Sequence, residues 1–80
     1  MDKKTAFRRV KNSKRYLPPL KIIAKGKDWV DWQRVDGLQS RAWKGVSSDY
    51  RALSKLRKGS YFLVIKREYE KKGRTRYVTR

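Results

Sequence analysis

Positive charge constrains this chain more than any other feature. Lys and Arg number 24 in 80 residues, Asp and Glu only 7, and with no His the formal net charge is +17. Like charges on so small a surface repel one another, so any fold must hold them apart around a limited core. Hydrophobic residues are 38% of the chain, but they include three Trp, five Tyr and two Phe, each of which buries a large area. A chain of this length supplies one core and has no room for a second.

The same charge selects a partner. Each neutralised phosphate releases condensed counterions, which drives association at low salt, so nucleic acid is the expected partner. An anionic membrane would call for a basic helix with a broad apolar face, and no segment offers one. The longest apolar run, Tyr61 to Ile65, is far short of the roughly 20 residues of a membrane span. With neither Cys nor His, no metal or other cofactor is expected. General acid–base work would fall to Lys, Tyr or a carboxylate. Asp28 and Asp31 are close enough to suggest a metal pair, but a helix start accounts for both. The expectation is a protein that acts by contact and not by catalysis. The N-terminus is polar and basic with no apolar stretch behind it, which points to a cytoplasmic or otherwise intracellular protein.

Read for local structure, residues 1–16 are a basic flexible arm, with seven Lys or Arg and few apolar residues. Residues 17–80 form the folded domain. Pro18 and Pro19 open a first helix over 19–25, with Leu20, Ile23 and Ala24 on one face and Gly26 as its stop. Asp28 caps a second helix in which Trp29, Trp32 and Val35 recur every three residues, ending at Gly37. Gln39 to Val46 reads as a loop, with Trp43 between Arg41 and Lys44. Ser47 or Ser48 caps a third helix over about 47–58. Tyr50, Leu53 and Leu56 line one side of it, and Arg51, Lys55 and Lys58 lie opposite. Tyr61–Tyr69 is rich in aromatic and β-branched residues. Glu70-Lys71-Lys72-Gly73 can turn the chain, and Arg74–Arg80 alternates again, completing a β-hairpin.

The order of Ser47-Ser48-Asp49-Tyr50-Arg51-Ala52-Leu53-Ser54-Lys55-Leu56-Arg57-Lys58-Gly59, then an aromatic strand, a basic tip and a returning strand with Tyr77, resembles the winged helix-turn-helix family. That resemblance implies an α+β fold, a small winged-helix-like domain of three short helices followed by a C-terminal β-hairpin. It also implies a recognition helix in the major groove of duplex DNA, favoured over RNA, with Ser47, Ser48, Arg51 and Lys55 facing bases or phosphates. Lys58 extends the same basic stripe. Lys71, Lys72, Arg74 and Arg76 would form the wing, and Arg8, Arg9, Lys14 and Arg15 would add phosphate or minor-groove contacts from the arm. Arg41 and Lys44 complete the expected nucleic-acid-binding set. On this reading the chain is a DNA-binding regulator or an accessory factor of DNA transactions.

Other readings use the same residues. Lys58–Ile65 is loosely similar to the aromatic strand motif of RNA-recognition motifs, consistent with an RNA-binding or ribosome-associated protein. A basic ribonuclease without His is a further alternative. So is an accessory factor or inhibitor that binds a protein partner in a nucleoprotein complex. For Trp29 and Trp32, helical spacing favours core packing over base stacking.

Overall fold

Prolines 18 and 19 introduce a strand and not a helix. In the computed structural model, which describes residues 1–47, 49–70 and 76–80, the order of elements is α1 (Lys3–Lys11), β1 (Leu20–Lys25), β2 (Trp29–Arg34), β3 (Gln39–Trp43), α2 (Tyr50–Leu53), β4 (Tyr61–Val64), α3 (Lys66–Glu70) and β5 (Tyr77–Val78). The strands form one five-stranded sheet, ordered β3-β2-β1-β4-β5, and every neighbouring pair is antiparallel.

This architecture overturns the winged-helix expectation. The segments expected to be the first and second helices are β1 and β2, and the expected loop 39–46 contains β3. The expected third helix shrinks to the four residues of α2. In place of the C-terminal hairpin, β4 runs into α3 before β5 returns beside it. The arm, read as flexible, contains α1, which packs on β4.

The reasons are local. Ile22 and Ile23 are β-branched and lose side-chain freedom in a helix. Leu20 and Ile22 turn inward, and a register shift between Ile22 and Ala24 places Ile23 in a bulge. That bulge produced the apparent helical spacing of Leu20, Ile23 and Ala24. In β2 the alternation has period two, so Trp29 and Trp32 fall on opposite faces instead of sharing one. Asp36-Gly37 does not stop a helix. Gly37, at φ 108°, closes a three-residue hairpin loop in which its N–H donates to the Arg34 carbonyl at 2.9 Å and the Arg34 N–H donates to the Leu38 carbonyl at 2.7 Å. A Gly of positive φ at the end of such a loop is the residue this turn requires.

The inner face of the sheet carries the main core. Leu20, Ile22, Val30, Ala42, Phe62 and Val64 are buried there against Leu53 of α2, with Trp32, Tyr50, Leu56 and Tyr77 packed around them. Lys25 fastens the end of α2: its Nζ donates to the carbonyls of Ser54 at 2.7 Å and Leu56 at 2.8 Å. Ser54 is the helix C-cap, whose carbonyl has no partner within the helix. On the outer face, α1 covers only the β4 side. Ala6 is buried with Tyr61 and Leu63, and Phe7 meets Tyr61 edge to face at 6.2 Å. The helix starts at Asp2, whose carboxylate accepts the Thr5 N–H at 2.8 Å. Arg8, Arg9 and Lys11 fill its last turn, where the helix dipole favours cations. The outer face of β1, β2 and β3 remains open, and its chemistry is unlike that of the core.

Candidate nucleic-acid interface

Residues directly opposite in a sheet share a face. The pairs Trp29–Trp43, Asp31–Arg41 and Gln33–Gln39 therefore stand side by side on the outer face of the β2–β3 hairpin. Hydrogen bonds at its two ends, Arg34 N–H to Leu38 and Lys44 N–H to Asp28 at 2.8 Å, fix the phase of the ladder. The three pairs fall at the non-hydrogen-bonded positions, where side chains approach most closely.

Arg41 is the centre of this group. Its guanidinium carbon lies 4.0 Å from the Trp29 ring centroid and 5.3 Å from that of Trp43, within reach of cation–π attraction to both. Its Nε donates to Asp31 Oδ1 at 2.5 Å and its Nη2 donates to Oδ2 at 3.0 Å. This two-pronged pair fixes the plane of the fork. Asp31 is 8% exposed, so the pair also keeps a buried carboxylate satisfied. The expected helix-start role of Asp31 is thereby replaced by a role in the sheet.

The Arg41 hydrogen bonds hold the Asp31 carboxyl below its ordinary value of 3.8, against the opposing effect of burial. A carboxylate depressed in this way contributes stability that is fully present above its unfolded value and is lost as pH falls through its folded one. We expect thermal stability to drop below about pH 4, with a smaller acid loss in Asp31→Asn. Melting curves between pH 2 and 7 measure this; identical acid profiles for the two proteins would contradict it.

Gly26 supports the stack from the β1–β2 turn. A Cβ there would stand 2.1 Å from Trp29 Nε1 and 2.2 Å from Cε2, so the indole rests on bare backbone. Gly26→Ala must displace the Trp29 ring. We expect about 1–3 kcal/mol of destabilisation, read as a lower urea midpoint, with a shifted Trp29 indole resonance. A midpoint equal to wild type would contradict the packing.

Toward β4 the open face continues through Lys21, which pairs with both Gln33 and Tyr61. Its ammonium lies 5.9 Å from the Tyr61 ring centroid, and Lys3 stands 5.9 Å from that of Phe7. Lys3, Phe7, Lys21, Gln33 and Tyr61 line a groove of about 320 Å³ at the foot of α1. Trp43 is 45% exposed. Across the sheet, an exposed indole and Arg41 thus lead to a basic, aromatic groove.

The residues expected from sequence are scattered over the molecule. Arg41 lies in the aromatic group, and Lys44 is exposed in the turn that follows it. Ser47 closes that turn: its Oγ accepts the Trp43 N–H at 3.0 Å, and its own N–H donates to the Trp43 carbonyl at 2.9 Å. Arg51 is exposed on α2, and Lys55 and Lys58 are exposed beyond its end. Without a long helix they form no recognition stripe. Arg8, Arg9, Lys14, Arg15 and Arg76 come together near α1 and α3. Ser48, Lys71, Lys72 and Arg74 lie outside the described residues.

Trp29, Asp31, Lys21 and Gln33 were not among the expected contacts. Their signal was present: outward from Asp36, the sequence reads Gln33 and Gln39, Asp31 and Arg41, Trp29 and Trp43, the mirrored alternation of a hairpin. Trp32 faces the other way, packed against the core, and its Nε1 is buried without a hydrogen-bond partner among the described residues. No helix among the described residues is long and apolar enough to cross a membrane. No family model, curated protein or solved structure matches this chain.

Proposed function

We propose that this protein binds single-stranded nucleic acid on the outer face of β1, β2 and β3, by stacking and charge and without catalysis. The observation that carries the reading is the Arg41 guanidinium held beside the Trp29 and Trp43 rings on an open sheet face. Every base has a π-face, so such a platform accepts bases with little regard to sequence. Bases in a duplex are stacked on one another and do not offer that face. The segment expected to be the recognition helix is only the four residues of α2, so the route to duplex DNA implied by the winged-helix resemblance loses its basis.

Trp43 offers the exposed indole. Arg41, its fork held by Asp31, supplies a flat guanidinium beside the indoles on which a base can stack. Lys21 and Lys3 continue the positive track toward Phe7 and Tyr61. The remaining surface charge raises the association rate and makes binding steeply dependent on salt.

The test is a titration of labelled single-stranded DNA, single-stranded RNA, duplex DNA and duplex RNA at several salt concentrations. The expected result is tighter binding of the single strands, with indole fluorescence quenched and a preference that persists at about 0.2 M salt, where purely electrostatic binding fades. Tighter binding of duplexes, or binding of all four that leaves the indoles unquenched, would overturn the proposal.

A further inference from the structure

We infer that the chain has a second nucleic-acid site, specific for phosphates, at the opposite end of the sheet, and so bridges two strands. This rests on the stacking face described above as the first site. The second is a groove of about 640 Å³ lined by Lys14, Arg15, Lys66, Arg67, Glu68 and Arg76. It adjoins a cleft of about 460 Å³ that shares Arg15 and adds Arg8, Arg9 and Asn12. Glu68, the acid lining the larger groove among the described residues, is already engaged by Arg76, with Nε donating to Oε1 at 2.9 Å. That contact holds the Glu68 carboxyl below its ordinary range. Arg9 is engaged as well, donating from Nη1 to the Arg80 carbonyl; the remaining cations lining the two grooves form none of the ion pairs found among the described residues, which join Arg34 to Asp36, Arg41 to Asp31 and Arg76 to Glu68.

The chemistry of this groove differs from that of the first site. Among the described residues no aromatic ring lines the larger groove, and the adjoining cleft holds one, the half-buried Tyr16, so the site has no pair of rings like the indoles of the first. It offers guanidinium forks and ammonium groups, which suit phosphate oxygens. It is also distant from the indole end of the stacking face, although the basic track of that face reaches Phe7 of α1 and Tyr61 of β4. Lys66 and Arg67 follow β4, and Arg76 precedes β5, whereas Trp43 lies on β3 at the other edge of the sheet. Between β3 and β4 lie three inter-strand steps of about 4.8 Å each, roughly 14 Å in all before side-chain reach is added. A short strand seated on the indoles leaves the groove free for the backbone of another. Bringing two strands onto one small cation lowers their mutual repulsion, so the expected activity is acceleration of strand pairing.

The test uses two non-complementary oligonucleotides of about six nucleotides, within the site size of one stacking platform. One carries a donor dye and the other an acceptor. With the protein at stoichiometric concentration, we expect energy transfer, two strands per chain, and a sedimentation mass showing one chain per complex. The Lys14→Ser, Lys66→Ser, Arg67→Ser triple variant should still quench its indoles with one strand, lose at least tenfold in affinity for the second, and lose energy transfer. Saturation of wild-type protein at one strand per chain would overturn the inference, as would energy transfer seen only in complexes holding two chains. A triple variant that bridges like wild type would overturn it as well. Failure of the first-site reading looks different: the indoles remain unquenched while fluorescence anisotropy still reports binding that the triple variant weakens.

Discussion

Trp43→Ala is expected to weaken single-strand binding by about five- to 150-fold, the range implied by the roughly 1–3 kcal/mol that a base–aromatic stack is worth. Trp43 is 45% exposed at the sheet edge, so its removal should leave the fold in place. Thermal unfolding should change little. Trp43→Phe keeps a smaller ring and should fall between the two proteins. Fluorescence anisotropy with a labelled strand, at fixed salt, measures all three. Lys55→Ala is the control: that side chain is exposed beyond α2, away from the stacking face, and its loss should cost only a small, salt-sensitive share of affinity. Equal losses in Trp43→Ala and Lys55→Ala would show that charge alone holds the strand.

The second large effect concerns the core. Phe62→Ala is expected to destabilise the fold by about 3–5 kcal/mol. Phe62 is fully buried at the centre of the inner face, beside Leu20 across the β1–β4 pairing and edge to face with Tyr77 at 5.8 Å. Small domains hold only about 5–15 kcal/mol in total, and self-repulsion from a net charge of +17 lowers that further. The variant should therefore be largely unfolded in low salt, with partial recovery in sulfate, which screens the charge and strengthens apolar burial. Circular dichroism melts with and without sulfate give the result. A shift of only a few degrees in both conditions would contradict the assignment of Phe62 to the core.

Charge and the first half of the strand expected over 61–69 were legible in the sequence because composition and the apolar run Tyr61–Val64 carry them directly; from Lys66 the chain turns into α3 instead. The β1–β2–β3 meander was also written there, but a competing period concealed it. Leu20, Ile23 and Ala24 imitate a helical face only because Ile23 occupies a bulge. Trp29, Trp32 and Val35 are spaced every three residues, yet Trp29 points outward to Arg41, Trp32 inward to the core, and Val35 lies exposed in a turn. Asp36-Gly37 is a strong hairpin signal, and reading it as a helix stop concealed the mirrored residues on either side.

The basic residues were the harder part. Lys and Arg are so evenly spread that neither their number nor their spacing distinguishes a contact from a solvated charge. Arg41 stands out only once β3 is paired with β2, because Asp31 and the two indoles come from the other strand or from alternate positions on its own. Lys14, Arg15 and Arg76 were singled out as arm and wing. The sheet brings them to one groove with Lys66 and Arg67, a grouping that depends on Arg15 lying beside Lys66, where the Lys66 N–H donates to the Arg15 carbonyl at 3.0 Å.

The most direct measurement is the response of the three indole N–H resonances to a short single strand in a ¹⁵N-edited NMR titration. Trp29 and Trp43 lie on the open face and Trp32 packs against the core on the other, so each signal reports on one side of the sheet. The resonances of Trp29 and Trp43 should shift together and saturate with the strand, while that of Trp32 stays in place. Movement of Trp32 alone, or shifts confined to backbone amides of α2 and its flanks with both outer indoles unmoved, would contradict a stacking face on β2 and β3.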